Sequence, residues 1–482
     1  MFDLRPVGYV LGLLVSVLGA TMLLPLGVDL YMRNGHWQSF AEAALITIVI
    51  GVFLTLACAN AVTRGLSLQQ TFLLTTGVWL VLPVFGALPF VFGATEAAYV
   101  DAFFEAMSGL TTTGSTVLTG LDQLPEGILL WRGLLQWFGG IGIIIVAMVF
   151  LPELRVGGMQ IFRSEGFDTF GKILPRATEI ASRIWVIYLT LTLFCAAAYA
   201  SLGMDVFDAI VHAMTTVATG GFANSDASFG AFGPGVEYAA VVFMLLAALP
   251  FVRYVQLVAG SARPLWIDSQ IRAFFLTVLA LVSVMTLWLV LGDAAGGEFA
   301  LRKALFNTVS IVTGTGYASA DYMQWGAFAV VVFFFAGLIG GCAGSTSCSI
   351  KVFRYQLLMA SISTQVKRLY APHGIFEPRY QGRPVAEDVL NSVMAFFVLF
   401  FVTLGVVAIL LGLTGLDFIT AVSGAATALG NIGPGLGPVI GPAGTFAELN
   451  DTAKWILSAA MLIGRLELMA VFVLFTAAFW RT

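Results

Sequence analysis

Four short loops in this sequence have residue types that could strip the water from a cation. Each follows a short apolar segment, and they read TTTGST (111–116), HAMTTVATGGF (212–222), TVSIVTGTGY (308–317) and NIGPGLG (431–437). Main-chain carbonyls of a glycine loop can replace the hydration shell of a potassium ion. Glycine keeps such a backbone free of side-chain clashes. Because these loops contain no acidic residue, the predicted ligands are backbone oxygens.

The four loops recur at one offset. A helical segment begins thirteen residues before each glycine, at Asp101 for Gly114, Asp208 for Gly221, Lys303 for Gly316 and Thr420 for Gly433. A lone TTTGST is more often an ordinary turn. Repetition at a fixed offset indicates four copies of one structural unit, and internal repeats of this kind determine the architecture.

The predicted selectivity filter takes its residues from all four loops. They are Thr112, Thr113, Gly114, Thr219, Gly220, Gly221, Thr315, Gly316, Asn431, Ile432 and Gly433. Potassium is expected on the main-chain oxygens of Thr112, Thr113, Gly220, Thr315 and Ile432. Gly220 leaves the register of the second loop open by one residue, and Gly314 gives the third loop an extra glycine.

The composition is that of a membrane protein. Hydrophobic residues make up 59% of the 482 residues and charged residues 10%, whereas soluble proteins carry about 25% charged residues. About 20 apolar residues span a bilayer as a helix. Segments that qualify are 7–30, 40–62, 71–92, 131–152, 184–203, 237–260, 273–292, 325–350, 389–413 and 453–479.

These segments predict an all-α polytopic membrane protein. The first two form an N-terminal helix pair (1–66), and the others flank four short pore helices as outer helix, pore helix and inner helix. The four repeats are expected at 67–155, 156–262, 263–354 and 355–482, around a pseudo-four-fold pore.

The distribution of charge predicts the orientation. Lys and Arg are concentrated on the side that holds both termini, which places the termini in the cytoplasm and opens the pore segments to the outside. Acidic residues are biased toward the outside, where a negative vestibule would concentrate cations. For Asp205 and Asp417, capping of a helix N-terminus is at least as good an explanation.

Two further segments complete a resemblance to a known family. They are GLIGGCAGSTSCSIKVFR (337–354) and GRLELMAVFVLF (464–475). With the four loops they make the chain similar to the TrkH/KtrB potassium-uptake family, and to its TrkH branch in particular. Gly114 implies potassium, because a serine at this position goes with sodium transport in that superfamily. The expected location is the plasma (inner) membrane, with several membrane passes.

The resemblance also implies partners. The expected assembly is a homodimer in the lipid bilayer, regulated by a separate cytoplasmic Rossmann-like nucleotide-binding subunit (TrkA-like). Nucleotide would bind that subunit only, since this chain has no phosphate-binding glycine loop. Potassium is the transported ion, no covalent cofactor is expected, and no nucleic acid.

The third inner helix is expected to break. Glycines and hydroxyl residues weaken a helix, and they cluster here as Gly337, Gly340, Gly341, Gly344, Ser345 and Thr346. Close helix packing through small residues is the alternative. By resemblance the unwound loop lies under the filter and gates the pore. The family has a glycine-rich run after Ser-Thr, whereas this chain has Ser347, Cys348 and Ser349.

Arg465 is interpreted as the one cation deep inside an apolar helix. An intramembrane charge is a functional hypothesis by default. By resemblance it is part of the gate, as a pore-facing barrier to cations. Alternatively it is a structural residue bonded to carbonyls or to a carboxylate. Glu467 lies two residues further on another helix face, so the two do not pair simply along the helix.

Two other classes remain to be weighed. A secondary transporter coupled to H⁺ or Na⁺ also uses broken helices at mid-membrane, but such folds usually show two repeats, not four in one orientation. An intramembrane enzyme would need a nucleophile beside a His or carboxylate, and His36, His212 and His373 do not provide one. We therefore expect no enzymatic activity, and four free cysteine thiols.

Overall fold

The fold is described from a computed structural model, which covers residues 3–61, 66–146, 159, 177–292 and 296–481. In these ranges the chain is helical, apart from short 3₁₀ turns, loops and a hairpin of two strands, β1 (Arg379–Tyr380) and β2 (Arg383–Pro384). Seven helices are long and apolar enough to cross a membrane, or up to nine if each of two bent helix pairs counts as one span. The all-α polytopic class is confirmed.

The N-terminal unit consists of α1 (Arg5–Thr21), α2 (Leu23–Met32) and α3 (Trp37–Cys58). Helices α1 and α3 approach closely through glycines. A Cβ on Gly12 would lie 2.6 Å from the nitrogen of Thr55, and a Cβ on Gly51 would lie 2.6 Å from that of Ser16. Small residues allow this kind of tight packing between membrane helices.

The first two repeats follow the predicted order of elements. The first contains α4 (Leu68–Gly86), α5 (Leu88–Phe92), pore helix α6 (Tyr99–Leu110) and inner helix α7 (Glu126–Ile145). The second contains outer helix α8 (Ala177–Ser201), pore helix α9 (Val206–Val217), α10 (Pro234–Ala247) and α11 (Phe251–Val258). The prediction of one continuous span over 237–260 is wrong, because α10 and α11 meet at 89°. Pro250 precedes α11, and a proline cannot continue the hydrogen-bond ladder of α10.

The last two repeats depart further from straight helices. The third contains α12 (Arg263–Ile267), α13 (Ser269–Leu291), pore helix α14 (Gly297–Thr313), the short α15 (Ala327–Gly337) and α16 (Val352–Tyr370). The fourth contains α17 (Glu387–Leu413), pore helix α18 (Phe418–Gly430), α19 (Gly437–Ile440), α20 (Asp451–Arg465), α21 (Met469–Phe472) and α22 (Ala477–Arg481).

The predicted span 453–479 is also wrong as a single helix. The chain turns by 105° after α20. Glu467 and Leu468 at this bend have φ angles of 62° and 45°. Positive φ is costly for residues other than glycine, so the surrounding packing must hold the bend. The predicted span 325–350 ends as a helix at Gly337.

Candidate functional site

Two of the pore helices have an aspartate as the N-terminal cap. Asp205 accepts a hydrogen bond from the Phe207 nitrogen (3.0 Å) at the start of α9. Asp417 accepts from the nitrogens of Ile419 (3.0 Å) and Thr420 (3.2 Å) at the start of α18. Hydrogen bonds from Thr420 hold the pKa of the Asp417 carboxyl below its usual value. The capping interpretation of both aspartates is therefore confirmed.

All four pore helices end in the same backbone motif. The residue directly before each filter glycine donates its N–H to a carbonyl five residues back: Thr113 to Ser108 (2.8 Å), Gly220 to Thr215 (2.8 Å), Thr315 to Ser310 (2.9 Å) and Ile432 to Thr427 (3.1 Å). The residue before each is left-handed, with φ angles of 50° at Thr112, 51° at Thr219, 73° at Gly314 and 49° at Asn431. This is the Schellman arrangement, which satisfies the last carbonyls of a helix.

The motif settles the register of the second loop. Gly221 has a φ angle of 79°, close to those of Gly114 (85°) and Gly316 (82°). The φ angle of Gly433 is also positive, at 110°. Gly220 has no positive φ and occupies the position of Thr113. The extra glycine of the third loop, Gly314, likewise takes the left-handed position that ends the helix.

The four loops close into a ring. A Cβ added to the glycine of one loop would meet the carbonyl oxygen that precedes the glycine of the next loop. The pairs are Gly114 with Gly220, Gly221 with Thr315, Gly316 with Ile432, and Gly433 with Thr113. In the first three pairs the added atom would overlap the oxygen, and in the fourth it would lie 3.0 Å away. The structure thus brings the predicted filter residues of all four repeats together, and the four glycines line one open cavity of about 80 Å³.

A polar side chain in each pore helix holds the backbone segment that follows its loop. This side chain accepts the backbone N–H three residues after the glycine: Glu105 from Val117 (3.0 Å), His212 from Asn224 (3.3 Å), Asn307 from Ser319 (3.1 Å) and Ser423 from Leu436 (2.9 Å). The sequence did not predict these four contacts. The missed signal is a polar residue nine positions before the glycine in three repeats and ten in the fourth.

Buried ion pairs behind the filter loops hold the ring in place. Arg132 of α7 lies 2.8 Å from Glu105, and both side chains are 1% exposed or less. Arg132 also donates to the Ala223 carbonyl (2.7 Å), which joins the first loop to the second. Lys303 contacts Glu237 at 2.8 Å. Arg132, near the start of α7, is therefore a second cation that lies buried within an apolar helix, in addition to Arg465.

Gln136, one turn further along α7, also contacts the second loop. Its side chain is buried; the Nε2 atom donates to the Gly220 carbonyl at 2.6 Å, and the Oε1 atom accepts from the Phe222 nitrogen at 3.0 Å. Sequence reasoning missed Gln136, because a single glutamine in an apolar helix has no spacing partner.

The segment after α15 is unwound, as predicted, and it is buried. Residues Gly341 to Cys348 are buried. The backbone of the unwound segment is hydrogen-bonded to the bend of the second repeat and to the end of pore helix α18. The Cys342 nitrogen donates to Ala248 (3.0 Å), the Phe251 nitrogen donates to Gly344 (2.9 Å), and the Ser349 nitrogen donates to Gly430 (3.0 Å). Irregular backbone at membrane depth requires such protein partners. The alternative of close helix packing fails here, and the role of the loop as a gate stays a prediction.

Arg465 ends α20 beneath the ring, with 3% of its surface exposed. Its guanidinium donates to the Cys348 sulfur of the unwound segment and to the Gly139 carbonyl of α7 (3.1 Å). It also lies 5.5 Å from the Trp79 ring. Glu467 instead pairs with Arg354 of α16, so Glu467 does not pair with Arg465.

A cavity below the ring connects these groups. It is about 30 Å³ and is lined by Asn431, Cys348, Arg465, Lys351 and Glu467 among others. The four cysteines are free, as expected. Within the described ranges no group of His, Cys, Asp or Glu has the arrangement of a metal site.

The fold and the ring together define a class, that of multi-pass membrane proteins in which four repeats converge on one set of backbone carbonyls. The family model for TrkH, a cation transport protein, matches residues 36–482. The chain belongs to the TrkH family of cation transport proteins.

Individual relatives match along the whole chain. The Trk system potassium uptake protein TrkI of Halomonas elongata is 44% identical, over 99% of this chain and 97% of that protein. The Trk system potassium uptake protein TrkH of Escherichia coli K12 is 38% identical, over 99% of both chains. The crystal structure of the potassium transporter TrkH from Vibrio parahaemolyticus matches with a TM-score of 0.90 and 36% identity, and the match covers 100% of both chains.

Proposed function

We propose that this protein takes up potassium through the ring formed by its four glycine loops. The observation that carries the proposal is the closed circle of glycine–carbonyl contacts, in which each repeat supplies one glycine and one oxygen. Relatives over the whole chain are named potassium uptake proteins, which supports potassium as the ion.

The pore helices supply the electrostatics. Each presents its C-terminal end to the ring, and that end carries about half a negative charge. Four such ends stabilise a dehydrated cation without any acidic side chain in the filter loops. Carbonyls of Thr113, Gly220, Thr315 and Ile432 then replace part of the hydration shell. Gly114 in the first loop favours potassium over sodium.

The unwound segment and Arg465 form the gate in this proposal. Within the described residues, the contacts of Arg465 are a thiol, a carbonyl and a ring, so no carboxylate in contact with it cancels its charge. A cation below the ring meets this charge in a poorly hydrated space, where repulsion is only weakly screened. The bond from Arg465 to Cys348 holds the unwound segment and the barrier in one position.

Regulation would act through α16. This helix begins where the unwound segment ends and carries Lys367 and Arg368 in its last turn. A cytoplasmic Rossmann-like subunit that binds nucleotide could move the segment by pulling on α16. We further propose a homodimer in the inner membrane with both termini cytoplasmic, in keeping with the positive-inside rule.

The test is uptake by purified protein in liposomes. The proposal predicts potassium flux down its own gradient, faster than sodium flux, with no requirement for a proton or sodium gradient. Flux that appears only when a proton or sodium gradient is imposed would instead support the secondary transporter. Equal potassium and sodium fluxes would reject the filter.

A further inference from the structure

The second loop differs from the other three in having a side chain that spans its glycine. The Gly220 carbonyl and the Phe222 nitrogen belong to the two peptide units on either side of Gly221. Gln136 bonds to both of them, at 2.6 and 3.0 Å. Because these two planes define the backbone torsions of Gly221, the amide holds that residue at its φ of 79°.

The Gln136 side chain is held in this position by its surroundings. Gln136 is completely buried, and a buried amide is costly unless it is hydrogen-bonded. A Cβ added to Gly220 would overlap the Gln136 amide, so the glycine at this position is what lets the amide approach. Gly220 and Gln136 therefore form a matched pair.

Among the described residues, no side chain makes this contact with the other loops. Among the hydrogen bonds of the described residues, no side chain donates to the carbonyls of Thr113, Thr315 or Ile432. The Ser115 hydroxyl donates to the Gly433 carbonyl (2.7 Å), which is one position later in the loop. Within the described residues, the Gly220 carbonyl is therefore the only one of the four ring oxygens that accepts a hydrogen bond from a side chain.

We propose that Gln136 is a positioning residue that orients the Gly220 carbonyl and thereby contributes to discrimination between potassium and sodium. The inference rests on the proposed filter function. A carbonyl oxygen has two lone pairs, and the amide occupies one of them. Both the direction and the field strength of this ligand are then set by Gln136, and selectivity depends on ligand geometry or on ligand field strength.

The test compares potassium and sodium uptake in liposomes for Gln136→Met, which has a similar length but neither donor nor acceptor. We expect the potassium-to-sodium ratio to fall roughly fivefold, the scale of one hydrogen bond, while potassium uptake persists. Gln136→Glu keeps the acceptor for the Phe222 nitrogen but loses the donor to the Gly220 carbonyl. The potassium-to-sodium ratio of this variant should therefore also fall.

The control is Thr192→Val, which removes the acceptor of the hydrogen bond from the Trp137 indole (3.1 Å). This bond lies one residue along α7 and does not touch a filter loop. A lower melting temperature with an unchanged ion ratio in Gln136→Met would overturn the proposal. If that variant does not fold, an unchanged ratio in Gln136→Glu overturns it instead. Failure of the filter itself is a separate result, seen as an unchanged ratio in Gly114→Ser.

Discussion

The four glycine loops and the four inner helices belong to the same repeats, yet only the loops share one geometry. Every loop has a left-handed residue, a five-residue backward hydrogen bond and a glycine that faces the next carbonyl. The inner helices differ: α7 is continuous over its described length, α10 and α11 meet at 89°, α15 ends in an unwound segment, and α20 turns by 105°.

The difference separates two tasks. Coordination of one ion by four loops needs a carbonyl oxygen from each loop at a similar distance, so the four loops share one backbone conformation. A barrier can be built by any one helix, and the unwound segment and Arg465 come from only two of the four repeats. Each of the following experiments disturbs one side of this comparison.

Replacing a ring glycine should have the largest effect. In Gly221→Ala the new Cβ would overlap the Thr315 carbonyl, and the positive φ adds strain. We expect potassium uptake to fall at least tenfold. Gly405→Ala in α17 is the matched control, since no atom of the described residues lies within 4 Å of its Cβ position. Equal uptake by the two variants in liposomes would show that the ring is not on the ion path.

Breaking the ion pair behind the ring should mainly cost stability. Glu105→Leu leaves Arg132 buried without its carboxylate, a change worth about 3–5 kcal/mol in the free energy of unfolding. It also removes the acceptor of the Val117 nitrogen. Thermal or denaturant unfolding in detergent measures the loss. For comparison, Asp3→Ala breaks the exposed pair with Arg5 and should change stability little; similar losses in both would contradict the account.

Removing the charge beneath the ring should increase flux. Arg465→Ala is expected to raise potassium conduction roughly tenfold, because the guanidinium no longer repels the ion. Arg465→Lys keeps the charge and should stay near wild type. If Arg465 only holds the structure together, the alanine variant will melt at a lower temperature and conduct no faster.

Deleting the unwound segment tests the same barrier from the other repeat. Loss of Gly341 through Ser347 should raise flux by a few-fold in the absence of any cytoplasmic partner, because several backbone bonds that hold the segment disappear. The measurement is liposome uptake by protein that elutes as a folded species. Lower or equal flux through folded protein counts against a gate.

Removing a cap should have the smallest effect. Asp417→Ala should lower stability by about 1 kcal/mol. The lowered pKa of Asp417 means that the carboxylate stabilises the folded protein above its unfolded pKa, and that this contribution is lost as the pH falls through the folded value. The gap between wild type and variant should therefore close in acid. A gap that widens in acid would contradict the capping role.

Sequence alone was sufficient for the loops and insufficient for what surrounds them. Glycines at one offset reveal the ring, because its positive φ angles favour glycine. Apolar residues lie on both sides of the bends at Leu249 and Glu467, so hydropathy predicted one span across each bend, although Pro250 gave a signal at the first. Gln136 and Arg132 act through contacts with residues more than 80 positions away along the chain, which no local pattern records.

The central claim is that equivalent backbone oxygens in four loops select potassium. Its most direct test is the ratio of potassium to sodium permeability for wild type, Gly114→Ser and Gly433→Ser in the same liposomes. The account predicts that both serine variants discriminate less against sodium, because each disturbs a contact in the ring. Unchanged ratios in both folded variants would contradict it.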